Sequence, residues 1–162
     1  VGLLNIGEED AKGSLFAQEA NSLLKAEISS FAGNCEGGDL VDGKFDVVVT
    51  DGFTGNVCLK TIEGTSKLML RYVKDALTSS TSAKLGAALV KGKLTKLKED
   101  INPDKYGGSP LLGIKGTCII GHGSSNAEAI KNGIIAGYNA IRANLSASIE
   151  ESLRSASSVK GS

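Results

Sequence analysis

Apolar positions in this chain fall into short runs that alternate with longer helical patterns, and glycine or polar turn residues sit at nearly every junction. Four runs read as strands by length and β-branched content: Val1–Ile6, Ile28–Ala32, Val47–Thr50 and Thr117–Ile120. The run Val47–Thr50 is expected to be buried. Between the first two, Ser14 to about Ala26 places Phe16, Ala20, Leu23 and Leu24 on one face at helical spacing. After Thr50 come the turn residues Asp51, Gly52, Thr54, Gly55 and Asn56. A second helical pattern then carries apolar groups at Val57, Ile62, Met69, Val73 and Leu77. Ser79–Ser82 interrupts it, and residues 83–100 read as a helical hairpin hinged near Gly92. The stretches Cys35–Lys44 and 102–116 read as loops. From Asn126 one long helix is expected, with Ile130, Ile134, Ile141, Leu145, Ile149 and Leu153 in register and Ser125 and Glu128 at capping-box spacing.

Strands alternating with helices predict an α/β fold, a mostly parallel sheet with flanking helices. The expected organisation is a single α/β domain over residues 1–155, with the hairpin at about 78–100 and a frayed tail at 156–162. Four strands make a narrow sheet. The chain also opens without methionine on a core-type strand, and both features suggest that a preceding portion belongs to the fold.

Composition narrows the function. In 162 residues, 18 basic and 18 acidic side chains cancel and aromatics are 4%, which argues against a nucleic-acid surface. Cys35, Cys58 and Cys118 show no C-x-x-C spacing and His122 stands alone, so no metal and no cofactor are expected, and the cysteines read as small buried hydrophobes. There is no signal-peptide pattern and no apolar run of bilayer length, so a cytoplasmic protein is expected.

Two stretches carry chemistry. Asp51-Gly52-Phe53-Thr54-Gly55-Asn56 and Gly121-His122-Gly123-Ser124-Ser125 each follow a strand and precede a helix. Helix N-termini have unpaired N–H groups and favour anions, and glycine lets backbone approach closely. Asp51, Gly52, Thr54 and Gly55, with His122, Gly123, Ser124 and Ser125, are therefore candidate phosphate or substrate contacts. Neither loop is a P-loop or a dinucleotide fingerprint. His122 reads either as a donor to an anion or as a ring satisfied by backbone carbonyls. Lys12, in the loop after the first strand, reads either as a cation at the same sheet edge or as a solvated surface charge. No Ser or Cys nucleophile arrangement is visible, so the nucleophile is expected to be a substrate.

Six motifs then occur in order: Val1-Gly2-Leu3-Leu4-Asn5-Ile6-Gly7-Glu8-Glu9 with Lys12-Gly13; Gly33-Asn34-Cys35-Glu36; Asp51 to Val57; Lys60-Thr61-Ile62-Glu63-Gly64; Tyr106 to Gly113; and Gly121 to Asn126. Together, over residues 1–145, they resemble the bacterial phosphate acyltransferase family of phospholipid synthesis, and the chain looks like its C-terminal half. The resemblance implies an isopropylmalate dehydrogenase-like (Rossmann-like) fold, a homodimer, and transfer of a fatty acyl group from acyl carrier protein to inorganic phosphate. It puts the catalytic lysine at Lys12 and the catalytic asparagine at Asn56. It also implies peripheral contact with an anionic membrane over residues 78–98, where Leu85, Leu89, Lys91 and Lys93 are the candidate contacts. Two other functions fit the residues: a non-catalytic anion-binding or dimerisation fragment, and a short-chain phosphate acyltransferase using coenzyme A thioesters.

Overall fold

A computed structural model describes residues 1–159 and divides the chain into two compact units, Val1–Ala76 and the part from Leu77 onward. The first unit is α/β. It contains β1 (Gly2–Leu4), α1 (Leu15–Glu27), β2 (Asn34–Cys35), α2 (Gly37–Asp42), β3 (Val48–Val49) and most of α3 (Gly52–Thr78). The three strands form a parallel sheet in the order β2-β1-β3, with Leu3 opposite both Asn34 and Val49. The core lies around central β1, where Leu3 and Cys35 are buried. Gly2 is required there, because a Cβ would stand 2.9 Å from the Phe45 ring.

Several boundaries differ from the sequence expectation. Ser14 caps α1 by accepting from the Ala17 N–H, as its residue type suggests. The second strand, however, is not Ile28–Ala32. Ile28 closes α1 and its carbonyl accepts from the Phe31 N–H in a turn, so the chain extends only after Gly33, at φ +102°. The stretch 35–44 is not all loop. Glu36 and Asp39 form a reciprocal capping box, and Gly43 closes the short helix α2 in the left-handed region. Helix α3 begins at Gly52, so the expected glycine loop is the first turn of a 27-residue helix. The expected burial of Val47–Thr50 is also not met: β3 is an edge strand, and Val47 and Val49 lie exposed.

The second unit holds α4 (Thr81–Leu89), α5 (Lys91–Asp100), a 3-10 turn (Pro103–Lys105), β4 (Ser109–Pro110), β5 (Ile119–Ile120), α6 (Ala127–Arg142) and α7 (Leu145–Val159). The helices α4 and α5 meet at Val90 rather than at Gly92. Strand β5 does not join the parallel sheet; it pairs antiparallel with β4, Ser109 opposite Ile120. The expected four-stranded, mostly parallel sheet is thus a three-stranded parallel sheet plus a separate antiparallel pair. Gly107, at φ +73°, lies against the α6 backbone at Ala129, Asn132 and Gly133, leaving no room for a Cβ. The long final helix breaks at Ala143–Asn144, where Asn144 adopts φ +49°, a conformation asparagine tolerates. Helix α7 continues to Val159, and residues 160–162 of the expected frayed tail lie outside the described residues.

Candidate active site

Parallel pairing fixes where the two principal candidates stand. Strands β1 and β3 are adjacent and run the same way, so the chain leaves both at one edge of the sheet. Lys12 lies in the loop that follows β1, and Asn56 lies in the early turns of the helix that follows β3. In open α/β sheets this carboxyl edge is where ligands bind.

The Lys12 loop is built rather than loose. The Lys12 N–H donates to the Glu9 carbonyl at 3.0 Å, closing a turn. The Lys12 stem passes over Gly7, where a Cβ would sit 2.9 Å from Lys12 Cγ. Gly13 is left-handed at φ +87°, and a Cβ there would run into the Asn5 amide. Two of the loop's acids are held by cations elsewhere: Glu8 by Lys44 at 2.8 Å and Asp10 by Lys25 at 2.6 Å. Lys44 also reaches Asp39 at 3.2 Å, and its hydrogen bonds to Glu8 and Asp39 raise its pKa above the ordinary lysine value. Asp39 shifts below the ordinary carboxylate value, chiefly through its bond from the Glu36 N–H. Lys12 makes no ion pair among the described residues and is exposed. A flexible ammonium on an ordered loop, with Glu8 and Asp10 held by other cations, suits an incoming anion.

At the start of α3, Asp51 does its work on the backbone. Its Oδ1 accepts from the Phe53 N–H at 2.9 Å and from the Thr54 N–H at 2.8 Å. The Thr54 side chain and then its backbone N–H hold the Asp51 carboxyl below the ordinary carboxylate value. The Gly55 N–H already makes the first intrahelical bond, to the Asp51 carbonyl. Gly55 packs on Thr50, whose Cγ2 would lie 2.5 Å from an added Cβ. Gly52 meets nothing within 4 Å. Asn56, one residue beyond Gly55, is exposed.

The second unit carries the other loop. His122 Nδ1 accepts from the Ser124 N–H at 3.2 Å and lies 2.7 Å from Ser124 Oγ. The ring is thus held at Nδ1 by Ser124. Ser125 Oγ accepts from the His122 N–H at 3.2 Å instead of capping α6. The cap is Asn126, whose Oδ1 accepts from the Ala129 N–H while its Nδ2 donates to Asp104 at 2.7 Å. An apolar cleft of about 550 Å³ lies between Leu111–Ile114 and Leu145–Leu153. It follows the C-terminal end of α6, ~24 Å of helix away from the His122 loop at 1.5 Å per residue.

On α4 and α5, Leu85 and Leu89 stand 67% and 89% exposed, and Lys91 and Lys93 occupy the first turn of α5. No helix among the described residues is long and apolar enough to cross a membrane. Of the cysteines, Cys35 is buried, and burial raises its thiol pKa; Cys58 and Cys118 are only half-buried, against the expectation for all three.

Residues 1–148 match the family described as fatty acid synthesis protein. A phosphate acyltransferase of Thermus thermophilus is 48% identical over 154 residues, covering 94% of this chain and 47% of that protein. Phosphate acyltransferases of Acidobacterium capsulatum and Bacillus pumilus are 50% identical over 134 residues and 44% over 154. These cover 83% and 95% of this chain, and 40% and 46% of those proteins. The chain therefore spans about half the length of the curated relatives it matches.

Proposed function

Because the chain belongs to the fatty acid synthesis protein family, we propose that it supplies the phosphate-binding cation and the oxyanion donor of an acyltransferase. The reaction moves a fatty acyl group from acyl carrier protein to inorganic phosphate for phospholipid synthesis. A phosphate oxygen attacks the thioester carbonyl carbon. The carbonyl oxygen becomes the oxyanion of a tetrahedral intermediate. Collapse breaks the carbon–sulfur bond, and the carrier's thiol leaves with the proton of the attacking phosphate. Lys12 neutralises and orients the phosphate, and Asn56 Nδ2 donates to the oxyanion. In the second unit, the loop of His122, Gly123, Ser124 and Ser125 is a further candidate anion contact, and the catalytic fold is isopropylmalate dehydrogenase-like. The observation that carries this reading is the parallel β1–β3 pairing, which sends the Lys12 loop and the Asn56 helix off one sheet edge.

The protein acts in the cytoplasm as a homodimer in peripheral contact with an anionic membrane. The exposed Ile130, Ile134 and Ile141 on α6 offer apolar surface to a second copy. Lys91 and Lys93 sit at the positive end of the α5 dipole, which costs ~0.3–1 kcal/mol each at an exposed site. An anionic leaflet returns ~1 kcal/mol per lysine, and Leu85 and Leu89 supply the apolar contact.

The deciding assay follows acyl phosphate formed by the full-length protein from long-chain acyl carrier protein thioesters and from coenzyme A thioesters. Removal of one oxyanion donor costs ~2.7–4 kcal/mol, so Asn56→Ala lowers turnover at least about a hundredfold with melting unchanged. Near-normal turnover removes Asn56 from the mechanism. Absence of phosphate-dependent thiol release from the carrier refutes the reaction.

A further inference from the structure

Four carbonyl oxygens of the Lys12 loop, those of Glu9, Ala11, Lys12 and Gly13, accept from side-chain amides. Asn5 Nδ2 donates to the Lys12 carbonyl at 3.0 Å. Gln18 Nε2, one turn into α1, donates to the carbonyls of Ala11 at 2.8 Å and Gly13 at 3.2 Å. Asn34 Nδ2, in β2, donates to the Glu9 carbonyl at 2.8 Å. Asn34 is itself fixed from behind: its Oδ1 accepts from Asn21 Nδ2 at 2.8 Å, and the two residues are 4% and 2% exposed. Amides from separate parts of the chain thus converge on a short segment whose one cation is Lys12.

Neutral amides are suited to this task. A cationic clamp would compete with Lys12 for an anion, and an anionic one would repel the anion. Burying an amide pair at Asn21 and Asn34 is a poor way to gain stability alone, since apolar groups of the same shape serve as well. It is a good way to hold one backbone geometry, because a half-satisfied buried network is costly to distort.

We infer that Gln18 and Asn34 are positioning residues: through the loop backbone they set the place of Lys12 and so the enzyme's affinity for inorganic phosphate. This rests on the role proposed above for Lys12. Displacements near 1 Å at a reacting group cost up to about a hundredfold in rate.

The test uses the full-length protein, inorganic phosphate and an acyl carrier protein thioester. Gln18→Ala, at a half-buried position whose loss the fold tolerates, lowers kcat/KM for phosphate at least tenfold. KM for the acyl donor stays within twofold. Asn34→Ala does the same where it folds. In a Lys12→Ala background, Gln18→Ala produces no further loss, because it acts only through Lys12. A uniform fall in active protein with both KM values unchanged, or an additive double mutant, overturns the positioning role. Should Lys12→Ala itself leave the phosphate KM unchanged, the Lys12 assignment fails instead, and the two failures are told apart.

Discussion

Replacing glycine by alanine at two positions of α3 gives unequal results, and the structure sets the size of the difference. Gly64 lies in the exposed middle of the helix with nothing within 4 Å of an added Cβ. Gly64→Ala there gains helix propensity and stabilises by ~0.8–1.0 kcal/mol. Gly55→Ala, in the same helix, would bring its Cβ to 2.5 Å from Thr50 Cγ2. The overlap has two ways out. Shifting the first turn of α3 costs ~1–3 kcal/mol, as overpacking commonly does. Rotating the exposed Thr50 side chain breaks its 3.2 Å bond from Oγ1 to the Asp51 carbonyl, worth ~0.5–1.5 kcal/mol. The propensity gain is common to both variants, so their difference isolates the overlap, about 1 kcal/mol by the easier route. Urea melts followed by circular dichroism resolve that difference. The Gly55→Ala/Thr50→Ser double variant, which lacks the obstructing methyl, recovers most of it. Because Asn56 is the next residue, Gly55→Ala also lowers turnover while Gly64→Ala does not. Equal stability of the two single variants, or no recovery with Thr50→Ser, refutes the close approach of Gly55 to Thr50.

Three further outcomes follow. Asp51 has its native pKa below the ordinary value of 3.8, so the stability its ionised form contributes is present above 3.8 and fades as pH falls through the native value. The stability gap between wild type and Asp51→Asn is therefore flat from about pH 7 to 5 and closes in more acid solution; acid titrations of the melt check this, and a gap that widens on acidification contradicts it. Gly107→Ala places a left-handed residue against α6 backbone, where nothing flexible can yield, and destabilises by about 2–5 kcal/mol in denaturant melts. Lys91→Glu with Lys93→Glu abolishes salt-sensitive flotation with anionic liposomes; unchanged flotation rejects the α4–α5 membrane face.

Patterning reads the first unit well where local chemistry and tertiary structure agree. The helix from about Ser14, the strand before Asn5 and the helix after Asp51 all follow from residue type. It fails where tertiary pairing overrides propensity. Strand β2 holds Asn34 and Cys35, neither a strong strand former, and exists because both pair with β1. The β-branched Ile28, better suited to a strand, ends a helix instead. Helix α2 is hidden by a loop-like composition of glycine and aspartate, although its Glu36–Asp39 box and Gly43 terminator are visible in retrospect. The break at Asn144 is invisible to periodicity because the apolar residues stay in register across it. The amide network around Lys12 is not legible as a network, since Gln18, Asn21 and Asn34 converge only when α1 has returned the chain to the sheet. Lys12 and Asn56 themselves stand out by motif, as do Asn5 and Asn34; Gln18 and Asn21 do not.

The capping of α3 changes where the binding energy must come from. A bare helix N-terminus offers an anion N–H groups and a dipole worth ~0.3–1 kcal/mol at the surface. Here Asp51 already takes the Phe53 and Thr54 N–H groups, and its own negative charge opposes a phosphate drawn close to them. In the proposed reaction, phosphate therefore depends on a point charge, that of Lys12. At 4 Å a unit charge pair gains ~1 kcal/mol in water and ~4 kcal/mol at the effective dielectric of a protein surface. That range makes free-phosphate binding weak in an open, wet site and substantial only once the acyl donor covers it and excludes water. In the role proposed for it, Asn56, a neutral donor beyond the cap, contributes little to phosphate in the ground state and most when the oxyanion forms. Such a division favours the transition state over either substrate, which is what raises kcat rather than lowering KM.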